Sequence, residues 1–264
     1  MYLPMVGLLV ASVWGLAALT DRWQIPKRVA GALAVVIVIA CTLVTRAQAE
    51  SWRNSTALWQ HTIADTTGNS RAHANLGATW AALGRQADAA AEYRAALEIE
   101  PTLPQAHNNL GLALMALGNR AEAITHYRQA ISLMPGYSGA HNNLGLALMQ
   151  EGQVEEAIAQ YGEAVRGKPD DAEFRNNFGA ALATYGRLAE ATREFREAVR
   201  LDPNRAEFHF SLGLACAQQG ADAEAIQEFK TALRLDPSHK AARQALAELE
   251  APPTGRGRSG RGGE

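Results

Sequence analysis

Cysteine is nearly absent from this 264-residue chain: Cys41 and Cys216 are the only two. One lies in an apolar run and the other inside a repeated segment, so neither a disulfide framework nor a cysteine metal site is suggested. Charge of one sign is missing as well. Twenty-five Lys and Arg stand against 27 Asp and Glu, a formal net charge of −2, which lacks the basic excess of a nucleic-acid-binding protein. No Ser-His-Asp set, glycine-rich phosphate loop or paired cysteines can be found. Nothing in the chain points to an enzyme, a cofactor or a metal.

Charged residues are also absent from residues 1–20. About 20 apolar residues suffice to cross a bilayer. After Asp21, Arg22, Lys27 and Arg28, residues 29–44 are apolar again. Nothing positive precedes the first run and a second follows it, which fits a cleaved signal peptide poorly. Residues 1–45 therefore read as a two-helix membrane anchor, with spans over 3–20 and 29–45. Arg22, Lys27 and Arg28 assign the connecting loop to the cytoplasmic side. This predicts an integral inner-membrane protein with everything after Thr45 periplasmic.

What the chain does contain is a period. His141-Asn142-Asn143-Leu144-Gly145 recurs 34 residues earlier as His107-Asn108-Asn109-Leu110-Gly111, and before that as His73-Ala74-Asn75-Leu76-Gly77. It degrades to Arg175-Asn176-Asn177-Phe178-Gly179 and His209-Phe210-Ser211-Leu212-Gly213. Each unit adds a second glycine (Gly84, Gly118, Gly152, Gly186, Gly220) and an aromatic (Tyr93, Tyr127, Tyr161, Phe195, Phe229). It closes on Pro101, Pro135, Pro169, Pro203 or Pro237. A fixed period of 20–50 residues marks a stacked repeat architecture. The second glycine ends one helix and the proline stops the next.

These residues resemble the tetratricopeptide repeat family, in its Leu-Gly…Ala…Tyr/Phe…Ala…Pro form. The resemblance implies antiparallel helix pairs stacked into a right-handed superhelix, with the first helix of each pair lining the concave face. The fold class expected is all-α, two transmembrane helices followed by an α-solenoid. Five units fall at 70–103, 104–137, 138–171, 172–205 and 206–239. Residues 46–69 read as a capping half-repeat, with Trp59 lying 34 residues before Tyr93. Residues 240–250 read as a C-terminal capping helix and 251–264 as a disordered tail.

The amino-terminal stretch carries a second resemblance. Tyr2-Leu3-Pro4, Gly7-Leu8, Trp14-Gly15 and Trp52…Leu58-Trp59 are similar to the last spans of bacterial membrane glycosyltransferase-like repeat proteins of the O-mannosyltransferase type. That resemblance implies that the chain is the carboxy-terminal part of a larger membrane enzyme, whose catalytic acids have no counterpart here.

Two sets of periodic polar residues ask for a role. His73, His107, His141 and His209 sit one helix pair or more apart, roughly 10 Å per step. They cannot share an ion held by bonds of about 2 Å, so packing within each repeat is their expected role. The asparagines Asn75, Asn109, Asn143 and Asn177, with Asn108, Asn142 and Asn176 beside three of them, are poor helix-interior residues. Either they stitch neighbouring repeats together, or they form a ladder of amides facing the groove. The ladder resembles that of the repeats in O-linked N-acetylglucosamine transferase, where such a groove holds protein substrates. Leu112, Leu146, Met115 and Met149 follow one turn on and complete a candidate peptide-binding groove. The function expected is a membrane-anchored module that binds an extended polypeptide on the extracytoplasmic side. Two alternatives stand beside it: the acceptor-presenting part of a glycosyltransferase, and a self-assembling scaffold.

Overall fold

The computed structural model describes residues 55–251, together with the helical positions Val29, Ala32, Val35, Val36 and Ile39. Residues 55–251 form twelve helices. Helix α1 (Ser55–Asp65) stands alone, with Leu58, Trp59 and Ile63 half-buried. Five hairpins follow: α2 (Ser70–Ala82) with α3 (Gln86–Ile99), α4 (Pro104–Ala116) with α5 (Arg120–Leu133), and α6 (Ser138–Gln150) with α7 (Val154–Gly167). Then come α8 (Ala172–Thr184) with α9 (Leu188–Leu201) and α10 (Ala206–Gln218) with α11 (Asp222–Leu235), and finally α12 (Lys240–Glu250).

Local chemistry sets these boundaries. Asn69 Oδ1 accepts from the Ala72 amide at 3.0 Å and Asp171 Oδ1 from that of Phe174 at 3.1 Å, capping α2 and α8. Pro104 occupies the first turn of α4, where no amide hydrogen is needed. Each first helix ends in a Schellman turn: in α4 the Gly118 amide donates to Met115 and that of Asn119 to Leu114, at 3.0 and 2.8 Å. Gly118 makes that turn with φ +82, a conformation without Cβ penalty only for glycine. Met134, Lys168, Asp202 and Asp236 leave the helical region just before a proline, as the proline ring requires.

Within a hairpin the two helices meet over a glycine. A Cβ on Gly111 would lie 2.5 Å from Tyr127 Cε1, and Gly77, Gly145, Gly179 and Gly213 each face the aromatic of their own second helix. Around this contact lie Leu110, Leu114, Leu144 and Leu148, all fully buried, and the core runs on through Leu182, Phe195, Leu212 and Phe229. A residue every 34 thus buries the same groups against the next repeat.

The curvature follows from which helices neighbour one another. First helices of successive repeats (α2 and α4, α4 and α6, α6 and α8, α8 and α10) approach within 8 Å between Cα atoms along part of their length. Successive second helices make no comparable approach among the described residues. The first helices therefore line the inner side of the array. Across the outer side run ion pairs at a fixed offset: Arg94 with Glu122, Arg128 with Glu156 and Arg196 with Glu224, at 2.7–2.8 Å. Gly162 interrupts the series, and Glu190 pairs instead with Arg187 at 2.6 Å.

The expected two-span anchor is corrected. Among the described residues no helix is long and apolar enough to cross a membrane. The solenoid helices have 11–14 residues, roughly 16–21 Å at 1.5 Å per residue, against a hydrocarbon layer of about 30 Å. They spend their apolar faces on one another. The described residues form an all-α repeat solenoid with no transmembrane helix among them, so the integral-membrane localisation and the membrane as a partner are without support. An uncharged run meets a requirement of a span without itself constituting one. Residues 3–20, and 29–45 apart from the five positions named, lie outside the described residues, as do 46–54 of the half-repeat and 252–264 of the tail.

Candidate functional site

Four positions of each first helix look inward to solvent, spaced as one helical face. In α4 they are Gln105, Asn109, Leu112 and Ala116; in α6, Gly139, Asn143, Leu146 and Gln150. The first three of these positions make three parallel rows along the inner surface. One row is amide: Asn75, Asn109, Asn143, Asn177 and then Ser211. A second is mostly apolar: Ala78, Leu112, Leu146, Ala180, Leu214. Leu112, Leu146 and Leu214 are exposed there by 46%, 45% and 37%, a large apolar residue set repeatedly in water. The third row is charged only at its ends, Arg71 at one and Glu173 and Glu207 at the other.

The asparagines divide into two kinds. Asn108 and Asn142 are buried between neighbouring first helices. Asn143 Nδ2 donates to Asn108 Oδ1 at 2.9 Å, and Asn177 Nδ2 to Asn142 Oδ1 at 3.1 Å. Each bond joins two repeats at an offset of one period plus one residue. Asn108 Nδ2 also donates to Asn109 Oδ1 at 3.2 Å, and Asn109 hydrogen-bonds the Tyr93 hydroxyl, partly offsetting the rise that burial imposes on that phenol. Asn176 is half-buried, and its Oδ1 has no hydrogen-bond partner among the described residues. Asn75 is exposed, and its amide makes no side-chain hydrogen bond among the described residues. Asn143 and Asn177 are half-buried, and each keeps its Oδ1 and one N–H for something else.

Met115 and Met149 stand apart from the rows. Both are half-buried and pack into the main core cluster beside Leu114 and Leu148. Structure therefore brings Asn75, Asn109, Asn143, Asn177, Leu112 and Leu146 onto one surface, and turns Asn108, Asn142, Met115 and Met149 inward. Stitching was one of the two roles the period left open; which asparagine pairs with which was not legible from the period alone. The signal of the pairing was an asparagine at two adjacent positions of successive units, one to give and one to receive.

The histidines form clamps. His107 Nε2 faces the Pro101 carbonyl at 2.9 Å and its Nδ1 faces His126 Nδ1 at 3.0 Å. His141 joins the Pro135 carbonyl to Gln160, and His209 joins the Pro203 carbonyl to Glu228. Arg175 does the same between Pro169 and Glu194. Each clamp ties the start of a repeat to its second helix and to the proline that ended the repeat before. Among the described residues no three His, Cys, Asp or Glu side chains converge to hold a metal.

Away from the inner face, a concavity of about 210 Å³ is lined by Thr192, Arg196, Cys216, Gln219 and Glu224. Burial and then Glu224 push the Cys216 thiol up to about 11. It stays protonated at neutral pH and is a poor nucleophile.

Hairpins stacked with their first helices inward and an open inner face define a helical-repeat solenoid, a class built to present an extended surface. The tetratricopeptide repeat model described as TPR_16 matches residues 108–172 and 170–240, half of the chain, and a second TPR repeat model matches 77–118. The chain belongs to the tetratricopeptide repeat family.

Among solved structures, YrrB, titled a TPR protein with an unusual peptide-binding site, is similar at 23% identity and a TM-score of 0.61, over 71% of this chain and 96% of that one. MamA from Desulfovibrio magneticus RS-1 is similar at 22% identity and 0.59, over 65% and 97%. PilF of Pseudomonas aeruginosa is similar at 21% and 0.58, over 68% and 88%. No curated protein matches the sequence. The resemblance of the amino-terminal stretch to membrane glycosyltransferases finds no support, since the matches are to repeat proteins.

Proposed function

We propose that this protein is a non-catalytic interaction module that holds an extended polypeptide along the inner face of its solenoid. One observation carries the reading: solvent-facing amides and leucines recur on adjacent first helices, side by side, at every repeat from α4 to α6. An amide can pair with the backbone of any peptide, and exposed leucines gain by being covered. The peptide-binding site named for YrrB, a chain of like fold, supports it. Individually weak contacts spread over several repeats suit a micromolar rather than a nanomolar ligand.

The test is retention of peptides from an array of random sequences by the full chain. Replacing Leu112 and Leu146 together by Glu leaves the core untouched, since both are exposed. Helicity and melting are expected to persist while retention is lost. Unchanged retention by this double variant would sink the groove reading.

A further inference from the structure

We infer that the occupant of the groove is a polyproline II segment carrying an apolar side chain at every third residue and a basic residue at one end. The inference rests on the groove reading above and adds the conformation, period and charge of the ligand.

Spacing argues for the conformation. First helices of successive repeats approach within 8 Å between Cα atoms, and axes of packed helices lie roughly 8–10 Å apart. A ligand lying along the rows meets one amide and one apolar position per step of that length. A β-strand returns the same side of its backbone every two residues, about 6.6–6.8 Å, and falls out of register within two repeats. Polyproline II has three residues per turn at about 3.1 Å each, so it returns every 9.3 Å or so. An α-helical ligand is excluded on other grounds, because its peptide groups are already bonded to one another. Polyproline II leaves all of its peptide groups free.

The amides are set for such a ligand. Asn143 and Asn177 each spend one N–H on the repeat before, through the bonds to Asn108 and Asn142. That fixes the plane of each side chain and leaves one acceptor and one donor per repeat. Beside them, Leu112 and Leu146 occupy consecutive steps of the apolar row, and Leu214 a later one. A residue of period three on the ligand covers each in turn. Stiffness in the free ligand lowers the entropy lost on binding.

Charge complementarity sets the ends. The middle of the groove, from Gln105 to Leu146, carries no exposed charge on these rows. Glu173 and Glu207 beyond it have side chains 65% and 62% exposed, and the basic side chains paired with them come no closer than 3.9 Å (Arg205) and 3.4 Å (His239). Both carboxylates remain open to a lysine or arginine of the ligand. Arg71 at the opposite end disfavours a second basic residue there.

The experiment compares two labelled peptides of about fifteen residues and equal composition, titrated against the full chain by fluorescence anisotropy. One is proline-rich with Leu at every third position and Lys at one end. Its isomer has Leu at every second position and its prolines grouped together. Each is also prepared with Lys at the other end, because the direction of the chain in the groove is open. The period-three peptide is expected to bind about tenfold tighter, a difference of 1.4 kcal/mol. Glu173→Gln with Glu207→Gln, and separately Leu112→Ala with Leu146→Ala, are each expected to weaken it several-fold. Equal or tighter binding of the period-two isomer overturns the inference, as does binding indifferent to the two glutamates. If neither peptide binds while the array still loses its retained peptides in the Leu112→Glu, Leu146→Glu chain, the conformation is wrong and the groove stands. If that double variant changes nothing, the groove itself falls.

Discussion

Ser211 stands one period and one residue beyond Asn176, where the two preceding units each place an asparagine, and Asn176 Oδ1 is buried without a hydrogen bond among the described residues. Asn108 and Asn142 have the partner that Asn176 lacks. The rung between α8 and α10 is incomplete.

Ser211→Asn is expected to complete it. Satisfying a buried acceptor contributes about 1 kcal/mol, which raises Tm by roughly 2–4 °C in a domain of this size. Ser211→Ala, which offers no donor, is the control and is expected to change little. Scanning calorimetry decides: equal melting of the two variants would mean that Asn176 finds a donor in solution, water included.

The same logic separates two asparagines that look alike in sequence. Asn143→Ala leaves Asn108 Oδ1 buried and unpaired, and is expected to cost about 1–3 kcal/mol. Asn75→Ala removes an exposed amide without a side-chain partner and is expected to stay within about 0.5 kcal/mol of wild type. Urea unfolding measures both. Asn75 is consequently the cleaner probe of peptide capture, because a loss there cannot be blamed on stability.

Gly162 lies inside α7 where the other second helices carry Arg94, Arg128, Arg196 or Lys230. A Cβ there would meet nothing closer than Phe178 Cζ at 3.9 Å, an ordinary contact. Gly162→Ala is expected to stabilise by about 1 kcal/mol through helix propensity. Gly162→Arg should add a few tenths more by reaching Glu190, since exposed pairs are worth little. A lower urea midpoint for Gly162→Ala would show that this outer helix face is less open than its contacts indicate.

Gly111→Ala is expected to do the reverse. The added methyl would meet the Tyr127 ring at 2.5 Å, and Tyr127 is wholly buried and cannot swing away. Overpacking of this sort costs about 1–3 kcal/mol, readable as a fall in Tm.

His126 introduces a dependence on pH. Burial first, and His107 next, push it below its ordinary 6.5, with Arg94 acting in the same direction and Glu122 against it. Folded His126 therefore holds a proton less readily than the unfolded chain does. Its contribution is complete above about 6.5 and is lost as pH falls through the lower folded value. His126→Gln places opposite His107 the residue that Gln160 places opposite His141. Between about pH 7 and pH 5 the wild-type Tm is expected to fall more steeply than that of the variant. Parallel curves would remove His126 from the account.

The sequence by itself determined the repeat: its period, the glycine that turns each hairpin, the proline that ends it and the small residue that admits an aromatic. These are local requirements of backbone geometry and close packing, and a 34-residue recurrence displays them five times. The same recurrence placed Asn109, Asn143, Leu112 and Leu146 on one helix type. Only the tertiary structure decided which of the adjacent asparagines faces solvent, because helical phase relative to the neighbouring repeat depends on how two hairpins pack. It drew Asn108 and Asn142 into bonds with the next repeat and took Met115 and Met149 into the core. It also showed the incomplete rung at Asn176, which follows from a serine 35 residues away. The reading of residues 1–45 as membrane spans gains no support from the described residues. Hydropathy counts residues along the chain, whereas a span requires one continuous apolar helix of sufficient length, and no helix among the described residues meets that condition.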